Sequence, residues 1–223
     1  ALAARAGAGR LRLRVAAPGP ADSPEPAGAE LGGIGAARRL LVAPADLRLP
    51  APAFDALVAH ELGHLRRRHT LRRLPAAALG ALVLFGGLAA AGRSERLLAA
   101  AGAASLGDPK SLPAALGLGW ALQALAGLGL ARQARRHERE ADAAAFALCG
   151  RADGLVELHR LIALRDLAEL APGRVSRLRA AHPPAPERIA AALALAAGAN
   201  DQPRCGPAEP YAVDVGPPRR REG

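Results

Sequence analysis

Cysteine is nearly missing: Cys149 and Cys205 are the only two in 223 residues, far apart and in no CxxC or CxxH spacing. That excludes a disulfide framework and a thiolate zinc site, and it fits a reducing compartment. Aromatic residues are as scarce, with Phe54, Phe85, Trp120, Phe146 and Tyr211 making up the whole set. The formal charge of +10 would otherwise invite a nucleic-acid reading. Rings so scattered build no stacking platform, and no recognised DNA-binding pattern occurs, so we expect no nucleic-acid partner. Methionine is absent, which implies that the sequence starts downstream of a start codon. Lysine is represented by Lys110 alone, so arginine carries the positive charge.

What remains is apolar and rich in alanine: 51% of residues are hydrophobic and 22% charged, enough for one ordinary domain and too apolar for wholesale disorder. Residues 11–15 alternate with period two and read as a short strand, followed by a Pro/Ala/Gly loop over about 16–30. Arg38–Ala43 is a second strand candidate, through Leu40, Leu41 and Val42. Pro50 and Pro52 then open a helix to about Arg68, with Phe54, Leu57, Val58, Leu62 and Leu65 at helical spacing.

Two long uncharged runs follow. Leu74–Gly92 is 19 residues without a charge, and Leu112–Ala131 is 20 residues with Gln123 its only strongly polar side chain. Each is about the length needed to cross a bilayer, and together they read as a transmembrane hairpin; the alternative is a pair of buried soluble helices. Leu97–Leu106 is too short to span and is expected in the connection or at the membrane interface. Arginine flanks the pair on the outside, at 66, 67, 68, 72 and 73 before it and at 132, 135, 136 and 139 after it. The positive-inside rule puts both flanks in the cytoplasm, and Arg66-Arg67-Arg68 reads as a cluster meeting lipid headgroups. Helices are expected over 132–149, ending at Gly150, then over 154–170 and from about Pro186 to Ala197, with a disordered tail beyond.

The segment His60-Glu61-Leu62-Gly63-His64 carries the chemistry. Residues one helical turn apart share a face, so His60 and His64 can present two imidazole nitrogens to one zinc ion. Glu61 is rotated about 100° from His60, toward a water beside the metal rather than the metal itself, as a general base requires. Catalytic zinc usually takes a third protein ligand. Glu138 can supply it, with Asp142 one turn on orienting a ligand histidine; equally, the two could be part of a charged helix surface with i,i+4 pairing. His69 and His137 read as solvated or as neighbours of a ligand, and His159 and the cysteines as packing or surface residues.

With these motifs in hand, the chain resembles the integral-membrane zinc metallopeptidases that include the CAAX prenyl proteases and the HtpX-type heat-shock proteases. Their pattern is His-Glu-x-x-His, a membrane hairpin, Arg-x-x-Glu-x-x-Ala-Asp, and a His-Pro segment before a final helix. This sequence has all four in order: His60–His64, the two apolar runs, Arg135-x-x-Glu138-x-x-Ala141-Asp142, and His182-Pro183-Pro184 with Arg188-Ile189. The resemblance covers about residues 28–195. It implies a gluzincin-like fold, mainly α with a small β-sheet (α+β), and one zinc ion held by His60, His64 and Glu138. It further implies Asp142 as support for a ligand, Glu61 as base and proton shuttle, His182 as oxyanion stabiliser and Arg188 as a brace. Read from the residues alone, His182 could instead simply precede a helix.

The segment Gly28-Ala29-Glu30-Leu31-Gly32-Gly33 resembles the family's Asn-Ala-x-x-x-Gly segment, with Gly28 in the place of Asn. Arg38–Ala43 is then expected as the edge strand that pairs with extended peptide substrate. Residues 1–73 and 132–197 would be the two parts of the peptidase domain, 74–131 the hairpin and 198–223 a tail. The expected activity is cleavage of membrane-associated, misfolded or lipidated proteins at the cytoplasmic face, in a bacterial inner membrane. The competing reading is a membrane signalling or scaffold protein with a regulatory or vestigial zinc site.

Overall fold

The computed structural model describes residues 2–7, 11–16, 28–32 and 39–199. The tail expected beyond 198 therefore lies, from residue 200 on, outside the described residues. Helices dominate: α1 (Leu2–Arg5), α2 (Ala51–Arg66), α3 (His69–Gly92), α4 (Glu95–Ala100), α5 (Leu112–Cys149), α6 (Asp153–Arg165), α7 (Arg174–Arg179) and α8 (Ala185–Gly198). Three strands, β1 (Arg12–Val15), β2 (Ala29–Gly32) and β3 (Arg39–Val42), form one small sheet.

The sheet corrects one expectation. Its order is β1-β3-β2, with β1 parallel and β2 antiparallel to β3, so the segment expected as an edge is the central strand. Leu40 and Val42 are buried, and both hydrogen-bonding sides of β3 are taken, with Leu13 opposite Leu40 on one side and Leu31 opposite it on the other. The third strand, Ala-Glu-Leu-Gly, has neither the alternation nor the β-branched residues that mark a strand. Gly28 introduces it with φ +107°, a left-handed conformation that glycine takes without strain, and its N–H donates to Oδ2 of Asp46 at 2.7 Å.

Helix α2 begins after Pro50, with Pro52 in its first turn where no intrahelical donor is needed. Its inner face carries Ala53, Ala56, Leu57, Ala59 and Leu62, and packs on Ala145 and Leu148 of α5 and on Leu155 and Leu158 of α6. So many alanines let these helices approach closely. Helix α5 is a single unbroken rod of 38 residues, about 57 Å by its rise, from the second apolar run to Gly150. Gly150 closes it in the left-handed conformation, donating its N–H to Phe146 O at 2.7 Å. Helix α6 stops at Arg165, short of the expected Leu170, as the chain turns through a left-handed Leu167.

Helices α3 and α5 are both long and apolar enough to cross a membrane. They pack along one another, with Gly87 against Leu122 and Gly80 against Ala126, while Leu82, Phe85 and Trp120 point outward, 68%, 68% and 79% exposed. These are not the buried helices of a soluble core. The intervening α4 is six residues long and capped by Ser94, in keeping with a place in the connection.

Gly154 lies where a Cβ would collide with the carbonyl oxygen of Pro52. A helical glycine replaced by alanine normally gains up to about 1 kcal/mol, but overpacking against backbone costs about 1–3 kcal/mol. Gly154→Ala should therefore lower the stability, seen as a reduced midpoint in thermal or denaturant unfolding in detergent.

Candidate metal centre

The close approach of α2 to α5 builds the site. A Cβ on Gly63 would sit 2.9 Å from the carbonyl oxygen of Ala141 and 3.1 Å from Cβ of Ala144, so glycine allows this contact. It brings His60 and His64, one turn apart on α2, against Glu138 and Asp142, one turn apart on α5. Nε2 of His60 lies 3.0 Å from Nε2 of His64, and each lies 3.5 Å from an oxygen of Glu138. Zinc–ligand bonds of about 2.0–2.1 Å at tetrahedral angles separate donor atoms by about 3.3 Å. Two imidazoles and a carboxylate at this spacing, all within 4.8 Å of one another, are a donor set that fits a zinc ion.

The surrounding charges hold the donors in place. Nδ1 of His60 donates to Oδ1 of Asp142 at 2.9 Å, which leaves Nε2 free to face the other donors. Arg188, from α8, grips Asp142 with two hydrogen bonds, Nε to Oδ2 at 2.8 Å and Nη2 to Oδ1 at 2.6 Å. Its Nη1 also lies 3.3 Å from Oε2 of Glu138, so one guanidinium neutralises two buried carboxylates. His182 is exposed, with Nδ1 3.1 Å from the same Glu138 oxygen. Arg135 donates to the carbonyls of Leu178 and Ala180 at 3.0 and 2.6 Å, pinning the segment that leads to His182.

Burial disfavours a charge on His60, but its hydrogen bonds to the carboxylates of Asp142 and Glu138 outweigh it and lift its pKa to about 9. Burial, with the neighbouring His60 charge, lowers His64 to about 3, so it is a neutral imidazole. Glu61 lines the adjoining cavity of about 510 Å³ together with Gly28, Ala29, His60, Glu138 and His182. Burial, reinforced by the carboxylates of Glu138 and Glu30 and opposed by His60, pushes Glu61 up to about 7.

All the residues singled out by sequence as a site converge here, except that among the described residues the edge strand beside the cavity is β2 rather than Arg38–Ala43. One histidine has a closer tie to the site than its spacing suggests. His159, read as packing or surface, is buried with Nε2 3.4 Å from Oδ1 of Asp142. Its signal was its place in the apolar stripe of α6, between Leu155, Leu158 and Ile162. His69, which reads as solvated or as a neighbour of a ligand, is the second of these: it is buried and lies beside His64. Spacing leaves the two alternatives open, because the helix breaks at Arg68, a non-glycine residue with φ +53°, between His64 and His69.

A His-Glu-x-x-His helix completed by a glutamate from a second helix is the donor arrangement of a zinc metallopeptidase. Residues 50–196 match the model of peptidase family M48, and the chain belongs to that family. Among solved structures it is similar to the crystal structure of S. mikatae Ste24p, with a TM-score of 0.57 and 17% identity over 74% of this chain. The match covers 41% of that protein, so the chain spans less than half the length of the solved structure it resembles. No curated protein matches the chain.

Removing Arg188 would break a buried pair and leave Glu138 and Asp142 sharing His60 as their buried counter-charge, and breaking a buried pair typically costs about 3–5 kcal/mol. Arg188→Met should destabilise the metal-free chain by about that much. Denaturant titration in the presence of chelator is the measurement.

Proposed function

We propose that the chain is a membrane-anchored zinc endopeptidase that hydrolyses peptide bonds of membrane-associated, misfolded or lipidated proteins. The observation that carries this reading is the tetrahedral spacing of the His60, His64 and Glu138 donor atoms beside a cavity that Glu61 also lines. A zinc ion held by those three residues would polarise the scissile carbonyl and acidify water. Glu61, held near neutrality by burial, takes the proton of the attacking water and delivers it to the leaving amine. His182, exposed at the cavity and tethered through Arg135, donates to the developing oxyanion. Asp142 and Arg188 keep His60 and Glu138 oriented throughout.

Extended substrate pairs by β-augmentation, and β2 is the strand that suits it: Ala29 lines the cavity, and one side of β2 is not used in pairing with β3. The backbone N–H of Gly28 is already engaged by Asp46, so strand registration depends on an anchor behind the cavity. Residues 74–131 form the membrane hairpin, and 1–73 with 132–197 form the peptidase domain around it. By the positive-inside rule the arginines flanking the hairpin support a centre on the cytoplasmic side, next to anionic lipid, and the membrane we propose is a bacterial inner membrane.

Two experiments test this. The chain purified in detergent with zinc should cleave an unfolded protein substrate, and Glu61→Gln should reduce turnover by several orders of magnitude while zinc stays bound. Cleavage persisting in that variant would remove Glu61 from its role, and zinc bound without cleavage by the unaltered chain would favour the regulatory reading. On alkaline extraction of membranes the chain should stay in the pellet; release into the supernatant would count against a crossing hairpin.

A further inference from the structure

His69 has no part in the mechanism above, yet its environment is as ordered as that of the donors. Its ring is 2% exposed and stacks on His137, with centroids 4.2 Å apart and planes 6° from parallel. Nδ1 of His69 lies 2.9 Å from Nδ1 of His64, and its Nε2 lies 3.2 Å from Oε2 of Glu140. Glu140 is fixed in turn by Arg72, at 2.8 Å, and by Arg136, at 2.9 Å.

The proton positions follow from this geometry. If His64 offers Nε2 to a metal, its hydrogen sits on Nδ1 and can only be donated to Nδ1 of His69. His69 must then carry its own hydrogen on Nε2, where the Glu140 carboxylate accepts it. The opposite pair of tautomers would turn an acceptor nitrogen of His69 toward a carboxylate, so the contacts favour one arrangement.

We infer that His69 and Glu140 are positioning residues that buttress His64 through a His64 Nδ1–H to His69, His69 Nε2–H to Glu140 relay. His60 reaches a carboxylate directly in Asp142, whereas His64 reaches one through an interposed imidazole. Glu138, Glu140 and Asp142 thus serve the centre from alternate positions of α5, one facing the cavity and two behind the histidines. His69 is also the first residue of α3, and Arg72 lies one turn into it, so the relay ties a donor of the centre to the first membrane-crossing helix.

The inference rests on the zinc reading of the centre, and the test separates the two. Zinc affinity of the full chain in detergent is measured by chelator competition, and the visible spectrum of the cobalt(II)-loaded chain reports on donor geometry. Loss of a partner behind a ligand histidine typically costs 10–100-fold in metal affinity, so His69→Ala and Glu140→Gln should each bind zinc about 10–100-fold more weakly, with an altered cobalt spectrum. The metal-free melting temperature should change little in Glu140→Gln, while His69→Ala, which empties a buried position, lowers it. His69→Gln, whose amide oxygen can accept from His64 and whose amide nitrogen can donate to Glu140, should recover much of the affinity. Unchanged affinity in both His69→Ala and Glu140→Gln, with zinc still bound by the unaltered chain, overturns the relay and leaves the centre intact. A fall in affinity matched by a fall in metal-free melting temperature and not rescued by glutamine overturns positioning in favour of packing. Failure of the unaltered chain to bind zinc overturns both readings.

Discussion

The contact between α2 and α5 at Gly63 sets every distance in the candidate centre. Two donors ride on one helix and the third on the other, so their separation is a packing distance before it is a matter of side-chain choice. A glycine facing the Ala141 carbonyl allows an approach that any Cβ would obstruct. Because side chains on a helix lie one turn apart in register, closing that gap brings His60 and His64 against Glu138 together rather than singly. The alanine-rich interior extends the same logic along the interface, since small residues let helix axes approach where leucines would hold them apart.

Such an approach concentrates charge as well as donors. Glu138 and Asp142 are 7% and 5% exposed, and two carboxylates that deep in the protein require cations with good geometry. Arg188 is suited to this because its planar guanidinium can grip one carboxylate in parallel and still reach the second. The last helix is thereby locked to the site by charge. Asp46 plays a comparable part on the other side, buried and paired with Arg165 while holding the start of β2 through Gly28.

Much of this was readable in the residues because the relevant periodicities are local. The i,i+4 histidines, the glutamate and aspartate one turn apart and the two uncharged runs all express helical spacing within one segment. What escaped was set by distant packing. β3 became central because a four-residue strand without β-branched residues pairs with it, and only the sheet reveals that. His159 joins the site across a fold of the chain that spacing does not encode, and a left-handed turn at Arg68 decides which of its two readings His69 takes. The continuity of α5 was visible as two adjoining helical patterns, but their fusion into one rod follows from the lack of any breaker between Leu130 and Gly150.

That rod gives the molecule a ruler. From the end of the apolar run at Ala131 to Glu138 the helix climbs about 10 Å at its fixed rise per residue. With no joint between the two, and with the apolar run across a bilayer as proposed, the height of the centre above the membrane is a property of helix geometry rather than of loop motion. On the proposed reading, a peptide bond is cut only if its segment can be presented at that height, so a polypeptide tethered to the same membrane arrives already in range. A freely diffusing folded protein would have to yield a strand long enough to descend to it.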